Sequence, residues 1–201
     1  MAVDLKSCGQ GPYIMAAPIA FMIFAAGTLC ALLCSPTWEL NNLSALGTSK
    51  DFITAVTFGI SCFVAGILVA TFGLGKMIFE RGLDRMSGFF FIIGGFSLLG
   101  VGIFDASSLE LHNNVTMLFA FAMVMGISLA SFSDILQGNK VVFIACILML
   151  VIIIAQWPIF TGALSECVGI ALASVWSFIQ TAKYQNMGAL RSFRRHSAER
   201  A

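Results

Sequence analysis

The sequence predicts an all-α membrane protein, a bundle of six transmembrane helices with its N- and C-termini cytoplasmic. Three observations carry that prediction. Six apolar stretches run over residues 11–34, 52–74, 87–104, 114–133, 141–160 and 165–181, each close to the ~20 residues that a helix needs to cross a bilayer core. The chain is 59% hydrophobic and only 10% charged, whereas an ordinary soluble domain is roughly one quarter charged. The basic residues fall on alternate connections. One side collects Lys6, Lys76, Arg81, Arg85, Lys140, Lys183, Arg191, Arg194, Arg195 and Arg200, and the other holds Lys50 alone. Loops rich in Lys and Arg stay cytoplasmic, which sets the orientation. The acidic residues divide evenly, so the outer surface is acidic and the inner one basic. A basic inner face follows from membrane insertion and calls for no nucleic-acid partner.

The first apolar run is longer than the 7–15-residue core of a secretory signal, and only Asp4 and Lys6 are charged before it. It reads as a retained span. Together the spans leave residues 1–201 as one membrane domain in the cell membrane, with no room for an appended globular enzyme. The first outer connection contains Trp38, Glu39, Asn41, Asn42, Ser44 and Asp51 and is the longest loop. The second and third spans carry glycines every seventh position: Gly59, Gly66 and Gly73, then Gly88, Gly95 and Gly102. Seven residues make nearly two helical turns, so each set forms a stripe. The numbers of the pairs 59/102, 66/95 and 73/88 add to one constant, the mark of matching depth in an antiparallel hairpin. Small residues let membrane helices approach closely, and a tight, shallow, left-handed pairing is expected.

Lys76, Glu80, Arg81, Asp84 and Arg85 read as a compact polar turn on the inner side. The second outer connection holds Asp105, Glu110 and His112. The fourth span presents Ala122, Gly126 and Ala130 at four-residue spacing, a packing face, whereas the fifth is almost uniformly large and aliphatic, suiting lipid. Trp157 and Pro158 end it at the interface. Glu166 stands at the outer start of the sixth span, and residues 183–201 form a basic cytoplasmic tail. That tail is either a weakly amphipathic helix on anionic lipid or unstructured.

No charged residue lies deep in a span, which disfavours ion-coupled transport and proton relay. Six scattered cysteines, Cys8, Cys30, Cys34, Cys62, Cys146 and Cys167, lack metal-ligand spacing, and no metal or cofactor is expected. Free cysteines usually pack as small apolar residues. Cys34 and Cys167 both fall near the outer surface, where a bridge is one alternative. The sequons at Asn42 and Asn114 lie on the same side.

The outer polar cluster is thus Trp38, Glu39, Ser44, Asp51, Asp105, His112 and Glu166. One reading makes His112 a general base oriented by Asp105 or Glu39. The other has His112 and Asn113 cap the fourth helix and bond to the first outer loop. The leading expectation is a non-catalytic protein that binds or organises membrane lipid through this cluster. An accessory subunit of a larger membrane complex, docking through the fourth and fifth helices, is one alternative. A lipid-acting enzyme or small-amphiphile transporter using His112 and Asp105 is another.

Residues 43–47 (LSALG) resemble the S-x-L-G element of a prokaryotic six-helix membrane family of unknown function. Residues 94–104 (GGFSLLGVGIF), followed by His112, resemble that family's glycine-rich third helix and the histidine after it. The outline over residues 12–182 is also similar to FRAG/DRAM/SFK-type membrane proteins. That resemblance implies a six-helix fold and, for some of those proteins, an association with lipid remodelling or lipid asymmetry. Asp105 stands where the family often has proline, and Thr57 where it often has asparagine.

Overall fold

The computed structural model describes residues 10–35, 43–104, 109–156 and 162–198. Among them are six α-helices, one short 3-10 helix and no strand. They are α1 (Gln10–Cys34), the 3-10 helix (Leu43–Thr48), α2 (Phe52–Phe79), α3 (Gly82–Ile103), α4 (Leu109–Leu136), α5 (Lys140–Gln156) and α6 (Ala163–Ala198). Five helices are long and apolar enough to cross a membrane: Tyr13–Cys34, Phe52–Phe79, Gly82–Ile103, Glu110–Leu136 and Ala163–Gln185. The fifth helix is shorter, with 17 residues, about 25 Å at 1.5 Å per residue. Most helices run past the apolar stretches read from sequence. A hydropathy profile stops at the first charge, but a helix continues wherever that charge finds a partner. Thus α2 passes through Lys76, α4 through Asp134 and α6 through Lys183.

The centre of the bundle is the α2–α3 hairpin. A Cβ built on Gly66 would lie 2.7 Å from the Gly95 carbonyl oxygen, and one on Gly73 would lie 2.6 Å from that of Gly88. Gly59 is similarly placed, 3.2 Å from the Gly102 oxygen. These are backbone contacts, and only hydrogen side chains fit between the two helices. On the other side of α2, Tyr13 of α1 lies across Gly75, and Ser61 of α2 lies across Gly27 of α1. Opposite them, α4 approaches α3, with the Phe91 ring against Gly126. Helix α6 closes the bundle against α1, and α5 packs on the periphery against α4 and α6.

Two glycine turns shape the end nearest the basic residues. Gly138, at φ 81°, completes a Schellman cap on α4. Its N–H bonds the Ile135 carbonyl at 3.0 Å, and Asn139 N–H bonds that of Asp134 at 2.8 Å. Gly82, at φ 57°, turns the chain between α2 and α3. Large apolar side chains, among them Leu33, Ile60, Phe96, Phe121, Val141 and Leu148, face outward, as lipid contact requires.

Replacing Gly66 or Gly95 by Leu should lower stability by about 1–3 kcal/mol or more, the usual penalty of forcing atoms into a packed interface. Gly169→Ala, where an added Cβ meets nothing within 4 Å, should be neutral or mildly stabilising. Thermal unfolding in detergent reads both, and equal behaviour of the two classes would overturn the close-contact assignment.

Candidate functional site

Two polar regions stand at opposite ends of the bundle. At the basic end, two ion pairs are buried. Lys76 Nζ donates to Asp84 Oδ1 at 2.6 Å and to the Tyr184 hydroxyl oxygen at 3.2 Å. The second oxygen of Asp84 accepts from Ser133 at 2.6 Å and from Gln137 at 2.8 Å, both on α4. Lys183 of α6 donates to Asp134 of α4, whose other oxygen takes the Gln180 amide at 2.8 Å. The Tyr184 ring lies between the two cations, 5.6 Å from Lys76 Nζ and 5.1 Å from Lys183 Nζ. Tyr13 joins α1 to the same end by donating to Glu80 at 3.1 Å.

From sequence, Lys76 and Asp84 belong to the polar inner turn, Asp134 lies just past the fourth apolar stretch on the inner side, and Lys183 opens the basic tail. The structure instead buries all of them: Lys76 and Asp134 are 0% exposed, Asp84 2% and Lys183 7%. The two cations and two anions balance, and every carboxylate oxygen of the pairs has a donor. A buried ion pair stabilises little in net terms, because desolvation offsets attraction, but breaking one is costly. Its effect is to select partners. Above the network, Phe72 of α2, Phe91 of α3 and Trp176 of α6 pack ring on ring, with centroids 5.2–6.3 Å apart.

At the opposite end, an apolar cavity of about 200 Å³ lies between α1, α2, α3, α4 and α6. Phe24, Phe58, Leu98, Met123, Ile127 and Ala173 form much of its wall. Polar groups gather at one end: Ser44 of the 3-10 helix, Thr116 of α4, and Ser165 and Glu166 of α6. The Glu166 carboxylate accepts the Leu43 N–H at 2.7 Å, tying the 3-10 helix to α6. His112 is buried one turn before Thr116, and Thr116 Oγ1 donates to the His112 carbonyl at 2.9 Å. Thr116, one turn beyond His112, shares the cavity wall with Glu166. The His112 Nδ1 bonds the Phe104 carbonyl at 2.7 Å, and its Nε2 is buried with no partner.

The structure therefore brings Ser44, His112 and Glu166 into one neighbourhood. Helix α4 begins at Leu109, so His112 and Asn113 lie within its first turns and do not cap it. Asp51 is engaged elsewhere as the N-cap of α2, accepting Thr54 N–H at 2.8 Å and the Thr54 hydroxyl at 2.6 Å. Those two bonds hold its carboxyl below the usual range. A lowered carboxyl stabilises the folded state at pH values above the unfolded pKa, and that contribution fades as pH falls through the native value. Trp38, Glu39 and Asp105 lie outside the described residues, as do Asn42, Cys8 and Trp157. Asn114 is exposed on α4.

Cys34 and Cys167 are free and exposed, as is Cys30, so no bridge joins α1 to α6 there; Cys62 and Cys146 are buried. No group of three metal-ligating side chains occurs among the described residues. The basic-end network went unseen in the sequence, although Lys76 and Asp84, eight residues apart around a glycine turn, were a signal for it.

The fold defines a multi-pass, all-helical integral membrane protein. The chain matches no known protein family, no curated protein and no solved structure.

Lys76→Met alone should cost about 3–5 kcal/mol, because it leaves the Asp84 charge buried and unpaired. The double variant Lys76→Met/Asp84→Leu should recover a substantial part of that loss in the same unfolding measurement. A double variant no more stable than the single one would contradict the pairing.

Proposed function

We propose that this protein crosses the membrane six times, with both termini cytoplasmic, and binds lipid in the cavity at its outer end without catalysing a reaction. The observation that carries the reading is the cavity itself, an apolar chamber of about 200 Å³ with Ser44, Thr116 and Glu166 at one end. Ligand sites are typically concave and apolar with a few fixed polar groups, and an amphiphile matches that division. The orientation is supported by the basic end, where Arg81, Arg85 and Lys140 are exposed beside the buried network. The sixth crossing is α5, whose 17 residues reach the lower limit for spanning, ~17–25 residues. The resemblance to FRAG/DRAM/SFK-type proteins points toward lipid as well.

Topology is tested with a cysteine-free background carrying Lys50→Cys or Arg81→Cys, both exposed positions. A membrane-impermeant maleimide should label the first in intact cells and the second only after permeabilisation; the reverse pattern would overturn the orientation. Occupancy is tested by native mass spectrometry of the protein extracted in mild detergent. Gly169 lines the cavity and has open space beside it, so Gly169→Leu should fill the cavity and displace co-purifying lipid with little change in fold. Undiminished lipid in that variant would defeat the cavity reading.

A further inference from the structure

The outer-end cavity is sealed on one side and open on the other. Its lining residues on α1, α2 and α3, which are Phe21, Phe24, Phe58, Leu98 and Val101, are all buried. The lining residues that keep some exposure stand on α4 and α6, apart from Ser44 at the polar end. On α4 they include Phe119, Ala120 and Val124, and on α6 Gly169 and Ile170. Space is open where a Cβ on Gly169 would stand. The 3-10 helix roofs the polar end, with Leu43 and Leu46 buried and the Leu43 N–H held by Glu166. Toward the basic end, Asp134 ties α4 to α6 through Lys183 and Gln180. Helix α5 packs on both α4 and α6 and buries Cys146 and Leu150, yet none of its described residues lines the cavity. The unfilled part of the seam between α4 and α6 is therefore a slit beside Ala120 and Ile170.

Both rims belong to helices long and apolar enough to cross a membrane, over Glu110–Leu136 and Ala163–Gln185. Ala120 and Ile170 stand about 15 Å and 10 Å inside the first residues of those segments, at 1.5 Å per residue. What lies against the slit is then lipid tail, as apolar as the rims themselves. About 200 Å³ is far below the volume of two turns of a helix ~10–12 Å across. A further helix does not fit, but a flexible hydrocarbon chain does. Resting on the lipid-binding reading above, we infer that the cavity is loaded sideways from the bilayer. One hydrocarbon chain of a membrane lipid enters between α4 and α6, and the rest of that lipid remains in the bilayer.

The test uses the full chain in phosphatidylcholine vesicles doped with a phosphatidylcholine that carries a diazirine midway along one acyl chain. After photolysis, tandem mass spectrometry assigns the label to single residues. Phe58 and Leu98, each 2% exposed on the sealed wall, are within reach only of a chain inside the cavity. Leu148 of α5 faces lipid and reports insertion in every variant. Ala120→Trp and Ile170→Trp each place bulk on one rim of the slit, and Ser44→Trp places the same bulk at the roof. The original chain should be labelled at Phe58 and Leu98. Both rim variants should lose that label, the roof variant should keep it, and Leu148 should be labelled alike in all four proteins. Wall labelling that survives in either rim variant, or that disappears in Ser44→Trp, would overturn lateral entry while the cavity reading stands. An original chain labelled at Leu148 but at neither wall residue would overturn both.

Discussion

Two helix backbones in direct contact leave no room for a side chain between them, and the bundle is arranged around that exclusion. Gly59, Gly66 and Gly73 of α2 meet Gly102, Gly95 and Gly88 of α3 at successive depths. In lipid the hydrophobic effect does not drive helices together, so close packing and the weak contacts that it permits must do so. The hairpin then presents two flanks. Helix α1 docks on one, with Tyr13 and Gly27 at its crossings, and α4 docks on the other, with Gly126 receiving the Phe91 ring. The depth at which α2 and α3 meet also brings Lys76 to Asp84.

Charge completes the basic end. Asp84 holds α2 through Lys76 and α4 through Ser133 and Gln137, while Asp134 holds α6 through Lys183 and Gln180. The hydrogen bonds give each anion one cation and put a donor on each of its oxygens, so few other arrangements of these helices would pair the same groups as well. The opposite end is organised differently. There α4 and α6 face each other across the apolar cavity, and a single carboxylate, Glu166, ties α6 to the 3-10 helix. A closed ionic end and a hollow apolar end are natural complements: the first fixes where α6 stands, and the second is the space left between helices held elsewhere.

Much of this was legible in residue order. Helices announce themselves through apolar runs, the basic bias marks one end, and the glycine heptads name the partners of the central pair, because each of these signals is local or periodic. The polar cluster was legible in part. Ser44, His112 and Glu166 converge, but Asp51 serves as a helix cap, since an aspartate just before a helix finds the free N–H groups of the first turn before any distant partner.

By itself, then, the sequence determined the helices, their membrane character and the α2–α3 contact. Only the tertiary structure decided which charges would be buried, which polar groups would share a neighbourhood and where a cavity would remain. The reason is separation along the chain. Asp134 and Lys183 are 49 residues apart, and Leu43 and Glu166 are 123 apart. Nothing in local spacing encodes such pairs. A charge reads as the end of a span until the path of the chain brings its counter-ion alongside.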